Sequence, residues 1–211
     1  MVRVKICGVK RIEDARAVQA AGAHAIGLNF APESPRCIGS VDDAAHFVRD
    51  ANLSLRWAGV FVNASPEFIL DAVRRANLTI VQLHGDEPPA FASALRSQLP
   101  AGVDIWRAFR VSCTEDLAPI DSYPADAVLL DAKVPGVRGG SGHAFDWTLL
   151  NALSRTKPII LAGGMKPENA ADAVRAVRPD WIDTASGVES SPGVKDSARI
   201  AALLHAVRGA S

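Results

Sequence analysis

Apolar and polar positions along the chain follow two alternating rhythms. Short runs rich in β-branched residues read as strands at Val2–Cys7, Ala25–Asn29, Trp57–Val62, Ile80–Leu83, Val103–Phe109, Ala127–Asp131, Pro158–Leu161 and Trp181–Asp183. Between them lie longer, alanine-rich stretches of helical period at Ile12–Ala20, Asp42–Asp50, Glu67–Ala76, Pro89–Gln98, Glu168–Val177 and Ser197–Val207. The segment Cys113–Ile120 is a weak helix, because it is short and Pro119 interrupts it. Ser65 before Pro66 offers a side-chain cap followed by a proline at the first helical position. Asp146 is placed to cap a further helix opening at Trp147, whereas Lys166, ahead of Pro167, is a poor cap.

Strands that alternate with helices pair in parallel, since each parallel neighbour needs a crossover connection. Eight such units in 211 residues fit a closed (β/α)8 barrel near the short end of its size range. Counting elements leaves a doubly wound open sheet standing as the competitor. No linker rich in proline, glycine or serine divides the chain, so one domain over residues 1–211 is expected.

Composition narrows the partners. The 23 basic and 23 acidic side chains cancel, so no global field draws the chain to nucleic acid or an anionic membrane. The first residues lack the apolar run of a signal peptide, and no stretch of about 18 apolar residues offers a membrane span. Three cysteines, Cys7, Cys37 and Cys113, argue against a disulfide framework and for a reducing cytoplasm. Neither a CxxC nor an HExxH spacing occurs, and no metal is expected.

Reactive side chains collect at the carboxyl ends of the proposed strands: Cys7, Asn29, Asn63, Gln82 with His84, Arg107, Asp131 and Asp183. In a parallel barrel that end is the active face, so the pattern favours an enzyme. Glycine-rich turns follow strands 6, 7 and 8, as Gly139-Gly140-Ser141-Gly142, Gly163-Gly164 and Ser186-Gly187. Such turns let backbone amides approach an anion, and barrels often hold a substrate phosphate after strands 7 and 8. Any one of them also reads as a tight strand–helix connection. Gln82, His84 and Asp183 read equally as substrate contacts or as satisfied structural groups. Lys5 lies two residues before Cys7 and should point into the lumen one layer below it. A buried cation there must be paired, with Asp183 or another lumen carboxylate as the candidate.

These residues also carry a family resemblance. Lys5-Ile6-Cys7-Gly8, Ser34-Pro35-Arg36, Gly59-Val60-Phe61-Val62-Asn63 and Val81-Gln82-Leu83-His84-Gly85 resemble successive motifs of the phosphoribosylanthranilate isomerases. So do Leu130-Asp131, the 139–142 turn with Phe145-Asp146-Trp147, Ala162-Gly163-Gly164 with Pro167-Glu168-Asn169, and Ser186-Gly187-Val188-Glu189. Each motif is short, but together they keep the family's order from residue 4 to about residue 196. The resemblance implies a (β/α)8 barrel that converts N-(5-phosphoribosyl)anthranilate to 1-(o-carboxyphenylamino)-1-deoxyribulose 5-phosphate in tryptophan biosynthesis. It implies Cys7 as general base, Asp131 as general acid and Arg36 as the holder of the anthranilate carboxylate. Gly163, Gly164, Ser186 and Gly187 would form the phosphate cradle. The reaction is an internal rearrangement, so it calls for no cofactor, and the family is monomeric or homodimeric.

Five positions depart from the family pattern. Thr184-Ala185 stand where Val-Ser is common, Ser141 replaces a threonine, Cys37 follows Arg36 where an aromatic is frequent, and Lys166 replaces a capping residue. They bear on substrate affinity, since none falls at Cys7 or Asp131. The competing functions are an indole-glycerol-phosphate synthase, a ribulose-phosphate epimerase and a non-catalytic phosphometabolite-binding barrel. The synthase would want a Lys/Glu acid–base set, the epimerase several strand-end metal ligands. The binding protein would have no reason to keep both Cys7 and Asp131.

Overall fold

The computed structural model describes residues 1–131, 147, 150 and 153–210. Eight parallel strands pair in sequence order: β1 (Arg3–Cys7), β2 (Ala25–Asn29), β3 (Arg56–Phe61), β4 (Ile80–Leu83), β5 (Asp104–Arg110), β6 (Ala127–Asp131), β7 (Ile159–Ala162) and β8 (Trp181–Thr184). The last strand returns to pair with the first, placing Lys5 beside Asp183, so the sheet is a closed barrel and not an open one. Closure removes both edges of the sheet. Outside it lie α1 (Ile12–Ala20), α2 (Val41–Ala51), α3 (Pro66–Arg75), α4 (Pro89–Arg96), α5 (Pro167–Val177) and α6 (Ser197–Ala210).

Both faces of a parallel barrel are buried, and the sequence divides its side chains accordingly. One parity faces the lumen: Ala25, Ala58, Ile80, Trp106, Ala108, Ala127, Leu129, Ile160, Ala162 and Trp181 form a single inner cluster. The other parity, with Ile6, Ile26, Leu28 and Leu130, packs outward against helix residues such as Ile69, Leu95 and Leu203. The inner cluster balances five lumen alanines on β2, β3, β5, β6 and β7 with two tryptophans. The Trp106 and Trp181 rings meet at 5.1 Å and 65° and fill the space the small residues leave. Arg3 stacks its guanidinium over Trp181, 4.5 Å from the ring centroid.

Local chemistry explains the element ends. Ser65 Oγ accepts from the Phe68 amide with Pro66 in the first turn, as expected. Ser40 and Asp43 form a reciprocal capping box on α2, which therefore begins one residue before the predicted start. At α5 the poor cap Lys166 is compensated from the other side, its amide donating to Asn169 Oδ1 at 2.9 Å. The weak segment at 113–120 yields only a 3-10 turn, Thr114–Leu117. There the Asp116 carboxylate takes the Ser112 and Cys113 amides, which closes the turn on itself. A hairpin of β9 (Glu189–Ser191) and β10 (Val194–Lys195) between β8 and α6 was not anticipated. Its strands are too short, and its Ser-Ser-Pro-Gly centre too turn-like, to show a two-residue period. The 139–142 turn, the cap at Asp146 and the Ser141 departure lie outside the described residues.

Replacing Ser40 by alanine removes the side-chain half of the α2 capping box and should lower stability by about 1 kcal/mol. The urea midpoint should fall with an unchanged m value.

Candidate active site

Residues at the ends of parallel strands share one rim of the barrel, and alternation decides which of them face its axis. Lys5 and Cys7 both face inward from β1. Lys5 is fully buried and donates from Nζ to Asp183 Oδ1 at 2.9 Å, the partner expected for it. Cys7 lies half-buried above this pair, opposite Gly27 of β2. A Cβ on Gly27 would come within 2.9 Å of Cys7 Sγ and 3.1 Å of Lys5 Cε, so the glycine makes room for both side chains. Burial pushes the Cys7 thiol up, and Asp183 adds to that; Lys5 and Lys195 pull it back without cancelling the rise. Lys5 resolves the other way. Burial disfavours its charge, but Asp183 and Cys7 outweigh burial and raise it above the ordinary lysine value. Lys5 is therefore a fixed cation beneath the thiol.

Across the lumen, Asp131 ends β6 on the inward parity, and its Oδ2 lies 3.8 Å from His84 Nε2. Gln82, one layer down and buried, places its amide nitrogen 3.1 Å from His84 Nδ1. The other ring nitrogen, Nε2, is the one turned toward Asp131. Gln82 Oε1 is buried and unpartnered among the described residues. Gln82 thus supports His84 from beneath.

Arg36 reaches the rim from the β2–α2 loop. Asn29 organises that loop, accepting from the Ala31 amide at 2.8 Å and reaching Ser34 Oγ at 3.3 Å; Ser34 Oγ in turn accepts from the Arg36 amide. Gly8, at φ +69°, lies against the arginine stem, where a Cβ would meet Arg36 Cδ at 2.6 Å. The positive φ and this close approach together require glycine in the turn that follows Cys7. The guanidinium forms a fork with Glu189, Nε to Oε1 at 2.8 Å and Nη2 to Oε2 at 2.6 Å. Glu189 also accepts from Lys195 Nζ at 2.8 Å. Glu189 appeared in the sequence only inside a motif, and Lys195 not at all, because their partners lie 153 residues away or across an unanticipated hairpin.

The two glycine turns after β7 and β8 are stitched together. Thr184 Oγ1 donates to the Met165 carbonyl at 2.6 Å, and a Cβ on Gly187 would strike that same oxygen at 1.8 Å. Gly163 and Gly164 adopt φ +81° and +72°, and the space beside Gly164 is open. Gly164 and Ser186 are both exposed. The Thr184 departure therefore supplies a hydroxyl that ties the turns to one another.

Two strand-end residues serve the scaffold. Arg107 sits on the outward parity of β5, pairs with buried Glu87 and stacks between Phe109 and Tyr123. Glu87 also accepts the Asn63 amide at 2.8 Å and the Gly85 amide at 3.0 Å, which holds the β3 and β4 loops in register. Glu87 was missed because a polar residue in a loop carries no periodic signal. On the rim a small pocket of about 140 Å³ is lined by His84, Gly85, Arg107 and Arg110 among others. A larger open cavity of about 760 Å³ lies between α2 and α3, lined by Asp42, Arg49, Trp57 and Thr79. It opens at the amino-terminal ends of β3 and β4, away from Cys7 and Asp131, so size does not mark the reactive face. Among the described residues no cluster of three His, Cys, Asp or Glu side chains is arranged to hold a metal.

Comparison with known proteins agrees with this fold. Residues 4–206 match the family model described as N-(5'phosphoribosyl)anthranilate (PRA) isomerase. The N-(5'-phosphoribosyl)anthranilate isomerase of Myxococcus xanthus is 44% identical over 98% of this chain and 96% of its own. The crystal structure of phosphoribosyl anthranilate isomerase from Thermotoga maritima superposes with a TM-score of 0.89 at 39% identity, over 99% of this chain and all of that one. A second structure of the enzyme, in complex with reduced 1-(o-carboxyphenylamino)-1-deoxyribulose 5-phosphate, gives a TM-score of 0.85 at 34% identity, over 99% of this chain and all of that one. An axial cysteine and aspartate on opposite strand ends, a forked arginine at the rim and a double glycine notch thus occur in a chain that belongs to the N-(5'-phosphoribosyl)anthranilate isomerase family.

Proposed function

We propose that this isomerase opens and rearranges N-(5'-phosphoribosyl)anthranilate with Asp131 as the acid and Cys7 as the base. The observation that carries the assignment is their placement, on inward parity at the rim, from β6 and β1. Asp131 delivers a proton to the furanose ring oxygen as the ring C–O bond breaks, and the anilino nitrogen lone pair forms the Schiff base. That cation acidifies the C2′ proton, which the Cys7 thiolate removes, and the electron pair flows back to nitrogen. One proton is given and one taken, so the enolamine is an isomer of the substrate, and its ketonisation completes the aminoketose. No redox equivalent or hydrolysis enters.

Each group has support for its part. His84 Nε2 faces the Asp131 carboxyl at 3.8 Å, with Gln82 against the other ring nitrogen. Lys5, held by Asp183, gives the otherwise disfavoured thiolate a cation beneath it. Gln82 and Asp183 therefore serve the substrate site from one layer down. Arg36 holds the anthranilate carboxylate, and Gly163, Gly164, Ser186 and Gly187 hold the phosphate in the open notch beside Gly164. The substrate is thus gripped at both ends, with its ribosyl carbons between Cys7 and Asp131. A strand-1 cysteine in place of a lysine disfavours the synthase reading. Having both axial groups disfavours a mere binding protein.

Asp131→Asn keeps the size of the side chain but cannot deliver a proton. Turnover, followed as loss of anthranilate-type fluorescence, should fall by at least about a thousandfold, while affinity for the reduced product changes little. Substantial retained kcat would remove Asp131 from the acid role.

Arg36→Met should raise KM more than it lowers kcat, because carboxylate binding is common to ground and transition states. Collapse of kcat at constant KM would contradict a carboxylate clamp.

Lys5→Met, in a Cys37→Ser/Cys113→Ser background, should move the pH of half-maximal Cys7 alkylation upward. Lys5 lowers the thiol's proton affinity, so its loss lets burial act with less opposition. The basic-group pKa in kcat/KM should rise in parallel. An unmoved alkylation profile in a folded variant would leave Lys5 a purely structural residue.

A further inference from the structure

The rim holds a buried charge cluster larger than the clamp requires. Glu189 stands between two cations, Arg36 at Nε and Nη2 and Lys195 at Nζ, and its side chain is only 5% exposed. Lys195 has a fully buried side chain, and its Nζ makes a second bond to the Ala185 carbonyl at 3.0 Å. The Lys195 amide donates to buried Asp14 Oδ2 on α1 at 3.1 Å, which pins the hairpin from the opposite side. Glu189 and Lys195 face each other across β9 and β10, so the hairpin brings the two side chains together.

The geometry of the fork matters. A guanidinium carries five N–H donors, and Glu189 uses two of them along the Nε–Nη2 edge. Nη1 has no hydrogen-bond partner among the described residues, which leaves the Nη1–Nη2 end as a second fork of the right shape for another carboxylate. Bound to Glu189 alone, Arg36 would be a neutral pair with little attraction for an anion. Lys195 changes that balance, because two cations against one carboxylate leave a single positive charge. Burial on its own would raise the Glu189 carboxyl, but its bonds from Arg36 and Lys195 hold it below the ordinary carboxylate range, so it stays ionised.

We infer that Glu189 and Lys195 are positioning residues that make Arg36 a selective receptor for one carboxylate: Glu189 fixes the guanidinium by one edge, and Lys195 restores the positive charge that Glu189 takes away. The inference rests on Arg36 as the anthranilate clamp and explains how an arginine already in an ion pair can bind a second anion. It also assigns a task to a hairpin that the barrel does not need for closure.

The test measures affinity for two probes, the reduced o-carboxyphenylamino product and its phenylamino counterpart lacking the carboxylate. Their affinity ratio reports the carboxylate alone. Lys195→Met leaves Glu189 still paired with Arg36, so the fold survives while the trio becomes neutral. The ratio should fall at least about tenfold, with affinity for the phenylamino probe unchanged. Lys195→Met combined with Glu189→Gln returns the trio to one positive charge and leaves no buried carboxylate short of a partner. It should recover the ratio in part, because the charge returns while one bond of the fork is lost, and a packing role for Lys195 would produce no recovery. An unchanged ratio in Lys195→Met, or no recovery in the double variant, overturns the inference. Arg36→Met separates the two levels: if it leaves the ratio unchanged, the clamp reading itself is wrong. If it abolishes the ratio while Lys195→Met does not, only the charge-restoring role is lost.

Discussion

The first and last strands of the barrel meet at one buried ion pair. Lys5 and Asp183 are side-by-side partners in the β1–β8 register, and their side chains bond inside the lumen. A barrel closed across 178 residues pays a large loop entropy before this contact forms. The pair cannot be the source of stability, since two charges have been taken out of water to make it. What it provides is registry. A slip of β8 by one residue would turn Asp183 outward and leave Lys5 as an unpaired buried cation, at a cost of several kcal/mol. The same register puts Cys7 one layer above a fixed positive charge.

Charge pairing repeats around the rim with a different purpose at each place. Arg107, on the outward parity of β5, and loop residue Glu87 bind the loops after β3 and β4 into one unit. Asp183 and Lys5 lie in the lumen and hold an electrostatic floor. Glu189 with Arg36 and Lys195 lies above, where the cations outnumber the carboxylate. The sequence is neutral overall, yet its described rim has a local surplus of positive charge in the layer nearest the Cys7 thiol. A phosphorylated, carboxylated substrate meets that surplus only after it has entered the mouth, so the field acts as a local receptor.

Glycine plays a different part at each site where it is needed. Gly27 gives up its side chain so that Cys7 and Lys5 can occupy the lumen together, and Gly8 does so to let the Arg36 stem cross the end of β1. Gly187 permits the β8 turn to press on the Met165 carbonyl. All three surround the reacting region, where the backbone must come closer to other atoms than any Cβ allows.

Much of this was legible in the amino-acid order. Short β-branched runs marked all eight strands, and the helical period marked six helices to within three residues, because burial of a strand on both faces and of a helix on one is written locally in its apolar residues. Strand ends then named Cys7, His84 and Asp131, and the Lys5-to-Cys7 spacing placed a buried lysine under the cysteine. The sequence could not show which late strand closes on the first, nor that Arg107 and Asn63 belong to the scaffold, since those depend on pairings between distant segments. Glu189 and Lys195 stayed hidden for the same reason. Two short strands carry no period of their own, and a carboxylate becomes a bridge between two cations only when the folded barrel brings a loop from residue 36 against a hairpin at residue 189.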